Sequence, residues 1–182
     1  MAKIITAKRK EGEADRAQNY IRTRILFPSG LLGLLAMVIG IFALIYQLII
    51  GTYDTFTFAQ STGLLVAGII LGWGQTSYHK FILRKHPGFF ASRMKNAGQR
   101  SLQRMKKQAP EVELEHPGRG LVPLFYCAGI ALLIGLSVWS ISSESLDYMA
   151  AFFLPWAGFF WGKLFSWRKI IPPTGKLAKK LR

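Results

Sequence analysis

The chain has 182 residues, 51% of them hydrophobic, with 24 Lys or Arg against nine Asp or Glu, a net charge of +15. All the basic residues fall in the stretches 1–24, 79–120 and 163–182, and the long segments between them are almost free of charge. That division argues against a soluble fold, whose buried helices are shorter and broken by charge, and the lone Cys127 excludes an intrachain disulfide.

Residues 1–24 hold seven basic residues together with Glu11, Glu13 and Asp15. The acids set the segment apart from a mitochondrial transit peptide. No cleavable signal peptide is expected, because the apolar run that follows is too long for a signal core. From Ile25 to Ile50 there are 26 residues without a charge, and from Thr55 to His79 there are 25. A hydrocarbon core of about 30 Å needs about 20 helical residues. Backbone amides find no water in lipid, so a crossing must be a helix or part of a closed barrel, and continuously apolar runs select the helix. The first two crossings are therefore expected at about 25–50 and 56–78. Tyr46, Tyr53, Trp73 and Tyr78 mark their interfaces.

Residues 79–120 hold ten basic residues. Within them, about 89–108 reads as an amphipathic helix lying on the membrane. Phe90, Met94, Ala97 and Met105 share one side at helical spacing, and Arg100, Arg104, Lys106 and Lys107 lie largely away from it. Such a helix favours anionic headgroups, or serves as a contact for a partner. Glu111, Glu113 and Glu115 follow. With His79, His86 and His116, the pair Glu113 and Glu115 make candidate metal ligands. The competing reading is that the acids neutralise the basic helix before a Pro-Gly turn. A membrane haem would need two histidines at similar depth, and His86 and His116 sit in loops. No cofactor is expected.

The third crossing is expected at about 121–142, within 24 uncharged residues. The fourth, about 148–167, has only 15 before Lys163 and qualifies if that long side chain reaches the headgroups. Pro155 should kink it. A basic tail, 168–182, ends in Lys179-Lys180-Leu181-Arg182, which resembles a dilysine retrieval signal. The turns 51–55 and 141–147 contain no Lys or Arg. Positive charge stays on the cytoplasmic side during insertion. Both termini and the 79–120 segment are therefore expected to be cytoplasmic. A bacterial inner membrane is favoured, with an ER or organelle membrane as the alternative.

The expected fold is an all-α integral membrane protein of four transmembrane helices. They form two in–out–in hairpins, 25–78 and 121–167, joined by the basic cytoplasmic segment with its interfacial helix. Inverted-repeat transporters need hairpins of opposite orientation. Close helix packing is expected at small residues spaced by four: Ser29 and Gly33, Gly68 and Gly72, Cys127, Ala131 and Gly135, and Gly158 and Gly162. Trp156, Phe160 and Trp161 offer an aromatic docking face on the fourth helix, set against lipid-facing bulk. Gln47, Gln60, Gln75 and Thr76 are expected to bond across helices rather than line a pore.

No catalytic arrangement of nucleophile and base occurs in the crossings. The net positive charge is accounted for by the cytoplasmic bias, so no nucleic-acid partner is expected. The favoured function is an accessory, structural or assembly subunit of a larger membrane complex, without catalytic activity. It would associate with other membrane subunits or as a homo-oligomer. The alternatives are a small oligomeric transporter or channel, and an enzyme acting on lipid at the cytoplasmic face.

Overall fold

A computed structural model describes residues 15–86, 88–93, 119–143 and 145–168. Every regular element among them is helical. Helix α1 spans Asp15–Ile50, α2 Thr55–Lys85, α3 Val122–Ser142 and α4 Tyr148–Trp167. Residues 88–93 are also helical. By length and composition, α1, α2 and α3 are each able to cross a membrane. These three long apolar helices fit a multi-pass integral membrane protein.

Local chemistry sets the helix ends. Pro123 lies in the first turn of α3, where a missing N–H costs nothing. Gly51 ends the main run of α1 in the left-handed conformation, φ 81°, which glycine adopts without a Cβ clash. Behind it the N–H of Thr52 reaches back to the carbonyl of Gln47, at 3.0 Å. Asp54 and Thr57 form a reciprocal capping box at the start of α2. The Asp147 carboxylate accepts the N–H of Met149 at 3.0 Å to start α4. Helix α1 is longer than the apolar run and begins at least at Asp15. It widens to π-type turns over Ile21–Leu26. Helix α2 likewise continues past Tyr78 to Lys85.

The packing order departs from the chain order. Helices adjacent in sequence usually lie side by side. Here α1 and α2 hardly touch, and α4 lies between them. Helix α3 leans on α4 and α2 from the side. The expected hairpin 25–78 is thus not a packing unit. The reason lies in α4, whose buried residues are mostly small: Ala150, Ala151, Ala157, Gly158 and Gly162, with Leu154, Pro155 and Trp167. Small residues permit close approach on two sides at once. The fourth helix is therefore the centre of the bundle, with Phe152, Trp161 and Phe165 left on its outer face.

Two apolar clusters stand at opposite ends. At the turn end, Leu64, Leu146, Ala150, Ala151 and Leu154 pack together. At the other, Ala17, Ile21, Ile82, Phe90 and Trp167 do so. The turns between α1 and α2 and between α3 and α4 meet at the first of these ends. The described Lys and Arg residues lie toward the second, called the basic end below.

Candidate functional site

Between these clusters runs a seam of glycines. A Cβ placed on Gly68 would strike the carbonyl of Pro155, and one on Gly72 the carbonyl of Phe159. In return, Gly158 faces the carbonyl of Leu65, and Gly162 that of Ile69, 2.6 Å from an added Cβ. The two G-x-x-x-G pairs therefore face each other, each glycine against a backbone carbonyl of the opposite helix. This geometry favours Cα–H···O contacts. On the other side of α4, a Cβ on Gly33 would lie 2.9 Å from Cβ of Phe160, and one on Gly40 3.0 Å from a methyl of Leu154. Ser29 is buried on the same face. Ala36 and Gly40 are both buried and share the four-residue spacing of small residues, a pair that the expected set left out.

The third stripe behaves differently. Cys127, Ala131 and Gly135 are exposed, and nothing lies within 4 Å of a Cβ added to Gly135. Among the described residues this stripe is left uncovered. Helix α3 instead turns Leu133, Ser137 and Ser140 inward.

At the turn end those serines join a polar knot. The Gln60 carboxamide oxygen accepts from Ser140 Oγ at 3.3 Å and also from Ser145 Oγ. Its NH2 group donates to Ser143 Oγ at 2.8 Å. The Ser145 carbonyl accepts from Thr57 Oγ1 at 2.9 Å and from Gln47 Nε2 at 3.3 Å. Helices α1 and α2 are thus both tied to the turn before α4. The serines carried no spacing signal of their own, since only the fold brings 140, 143 and 145 onto Gln60. Thr76 differs from expectation. It is buried, and its hydroxyl donates within its own helix to the carbonyl of Gly72, at 2.8 Å. The Gln75 carboxamide oxygen is buried and has no partner among the described residues.

At the basic end, His79 Nε2 lies 3.2 Å from the hydroxyl of Tyr126, joining α2 to α3. The edge of Phe90 meets its ring, with centroids 6.3 Å apart. Phe90 is 3% exposed. This corrects the expectation that Phe90 touches the membrane surface, because it is drawn inward by the pocket of Ala17, Ile21, Ile82 and Trp167. The Lys163 ammonium rests 5.2 Å from the centroid of the Phe159 ring. His86 closes α2 through its backbone N–H to the carbonyl of Ile82, at 2.7 Å.

Met94, Arg100, Arg104, Lys106, Lys107, Glu113, Glu115 and His116 lie outside the described residues, as do 1–14 and 169–182. Among the described residues no three His, Cys, Asp or Glu side chains gather as metal ligands.

The aromatic face on α4 is divided. Trp156 is half-buried and packs edge-on against Phe159, with centroids 6.1 Å apart, while Phe160 covers Gly33. Of the three expected docking residues only Trp161 turns outward, beside the still more exposed Phe165, their rings 5.7 Å apart.

These features define a membrane-type helical bundle whose interior is given over to packing. No protein-family model matches the chain, and neither a curated protein nor a solved structure resembles it significantly.

Proposed function

We propose that this chain is a small polytopic membrane protein that serves as an accessory or assembly subunit of a larger membrane complex, with no catalytic activity of its own. It crosses the membrane four times. Both termini and the 79–120 segment are cytoplasmic, in a bacterial inner membrane. Anionic headgroups meet the basic end.

The observation that carries this reading is the outward face of α3. Only 17% of its most apolar stretch is buried, against 22% for α1 and 33% for α2. The exposed face pairs a small-residue stripe, Cys127, Ala131 and Gly135, with large apolar neighbours such as Phe125, Leu132 and Trp139. Lipid solvates bulky side chains equally well anywhere, whereas small residues at four-residue spacing admit the backbone of another helix.

The fourth crossing has separate support. Twenty helical residues rise about 30 Å, the thickness of the hydrocarbon core. A helix packed between α1 and α2 along this length crosses wherever they do.

Purification of the full chain in mild detergent from its native membrane, followed by mass spectrometry, tests the subunit assignment. Stable co-purification with other membrane subunits is expected. A homogeneous homo-oligomer without other chains overturns it. Reporter fusions read the topology: those at residues 14 and 168 should be cytoplasmic, and one in the 51–54 turn should not.

A further inference from the structure

Where α1 and α4 approach the basic end, a groove of about 320 Å3 opens on the outside of the bundle, lined by Leu26, Trp161, Leu164, Phe165, Trp167 and Arg168. The volume is at the low end of the ~300–1,000 Å3 typical of small-molecule sites. Its walls are aliphatic and aromatic, and its one charged group is a guanidinium. Across the helix contact, a Cβ on Gly30 would lie 3.9 Å from the Leu164 side chain. Trp167 is completely buried beneath the groove, and its indole N–H has no acceptor among the described residues. Arg168 is exposed and ends α4.

We infer that this groove is a binding site for one anionic glycerophospholipid, with an acyl chain along Leu26, Leu164 and Phe165 and the phosphate on Arg168. Charge and depth select this occupant. Arg168 stands one residue beyond a 20-residue helix, about 30 Å from its start, and so at the level of the headgroups. Guanidinium binds phosphate through paired charge-assisted hydrogen bonds. A zwitterionic lipid would fill the same apolar walls but would bring an ammonium to the guanidinium.

This inference rests on α4 crossing the membrane, which the fusion at residue 168 reads independently. The test is native mass spectrometry of the full chain in mild detergent, with phosphatidylglycerol or phosphatidylcholine of equal chain length added. Partner subunits and lipids appear as separate mass increments, so loss of one does not mask the other. The wild-type chain should retain one phosphatidylglycerol about fivefold better than phosphatidylcholine: the two lipids share the phosphate, and only the second brings an ammonium toward the exposed guanidinium. Arg168→Gln should abolish that preference, and Arg168→Lys should keep most of it. Leu26→Trp, which fills the groove, should reduce retention of both lipids. Arg84→Gln, outside the lining, should change neither. Equal retention of the two lipids by the wild-type chain overturns the site, as does an Arg168→Gln chain that matches Arg84→Gln.

Discussion

Helices α2 and α4 meet backbone to backbone, through four glycines that each receive a carbonyl from the opposite side. Helix α3 is held by Leu133, by hydroxyls of its last turn and by the Tyr126–His79 contact. The first contact has one register, since a shift of a single residue places a side chain against a carbonyl. The second tolerates adjustment, because rotatable hydroxyls exchange acceptors. In a bilayer, where apolar burial between helices gains little, that difference fixes the α2–α4 pair more firmly than α3, the helix proposed to take a neighbour.

The largest expected effect follows from the seam. Gly158→Ala and Gly68→Ala each place a methyl group against a main-chain carbonyl that cannot rotate away. Each should destabilise the bundle by about 1–3 kcal/mol, read as a lower midpoint of unfolding in mixed micelles. Wild-type stability in either variant would show that the seam is looser than its geometry implies.

The turn knot comes next. Gln60→Leu removes the acceptor for Ser140 and Ser145 and the donor to Ser143. A loss of about 1–2 kcal/mol is expected. It should be accompanied by faster thiol labelling of a cysteine introduced at Ser137, with Cys127 replaced by Ser. If labelling at Ser137 is unchanged while stability falls, the knot holds α1 and α2 rather than α3.

Gly33→Ala should cost less, about 1 kcal/mol. The neighbour is Cβ of Phe160, a side-chain atom close to its backbone. Gly40→Ala should cost less again, since a methyl of Leu154 can rotate aside. If Gly40→Ala proves the costlier of the two, the contact of α1 with α4 is centred toward the turn end.

Much of this arrangement was legible in the residues. Charge-free runs marked α1, α2 and α3, and four-residue spacing marked the glycines that meet across α2 and α4. The central place of α4 was not legible. Its interior position calls for Ala, Gly and Pro, which contribute little hydropathy, and it carries Lys163. The most enclosed helix therefore reads as the least membrane-like. Phe90 shows the converse error: a phenylalanine on the apolar side of an amphipathic pattern fits a lipid surface and a protein pocket equally. Only the positions of Ile21, Ile82 and Trp167 decide between them. The polar knot was half visible, as Gln47 and Gln60 stood out against apolar neighbours while their serine partners came from a distant turn.

The smallest expected effect on stability is the one that bears most on function. Ala131→Leu and Gly135→Leu enlarge the outward stripe of α3, where a Cβ on Gly135 meets nothing within 4 Å. Leucine favours the helix more than glycine does, so the isolated chain should keep its stability to within about 0.5 kcal/mol. Association should respond oppositely. A close helix–helix contact built on small residues cannot admit two leucines, and co-purification of the partner subunit should fall sharply. The same pair of leucines in the Gly68–Gly72 seam would destroy the fold before any partner could be assessed, so the two stripes separate packing from recruitment. Undiminished recovery of a partner with the α3 double variant would move the docking surface to another face, with the Trp161 and Phe165 side of α4 the next to examine.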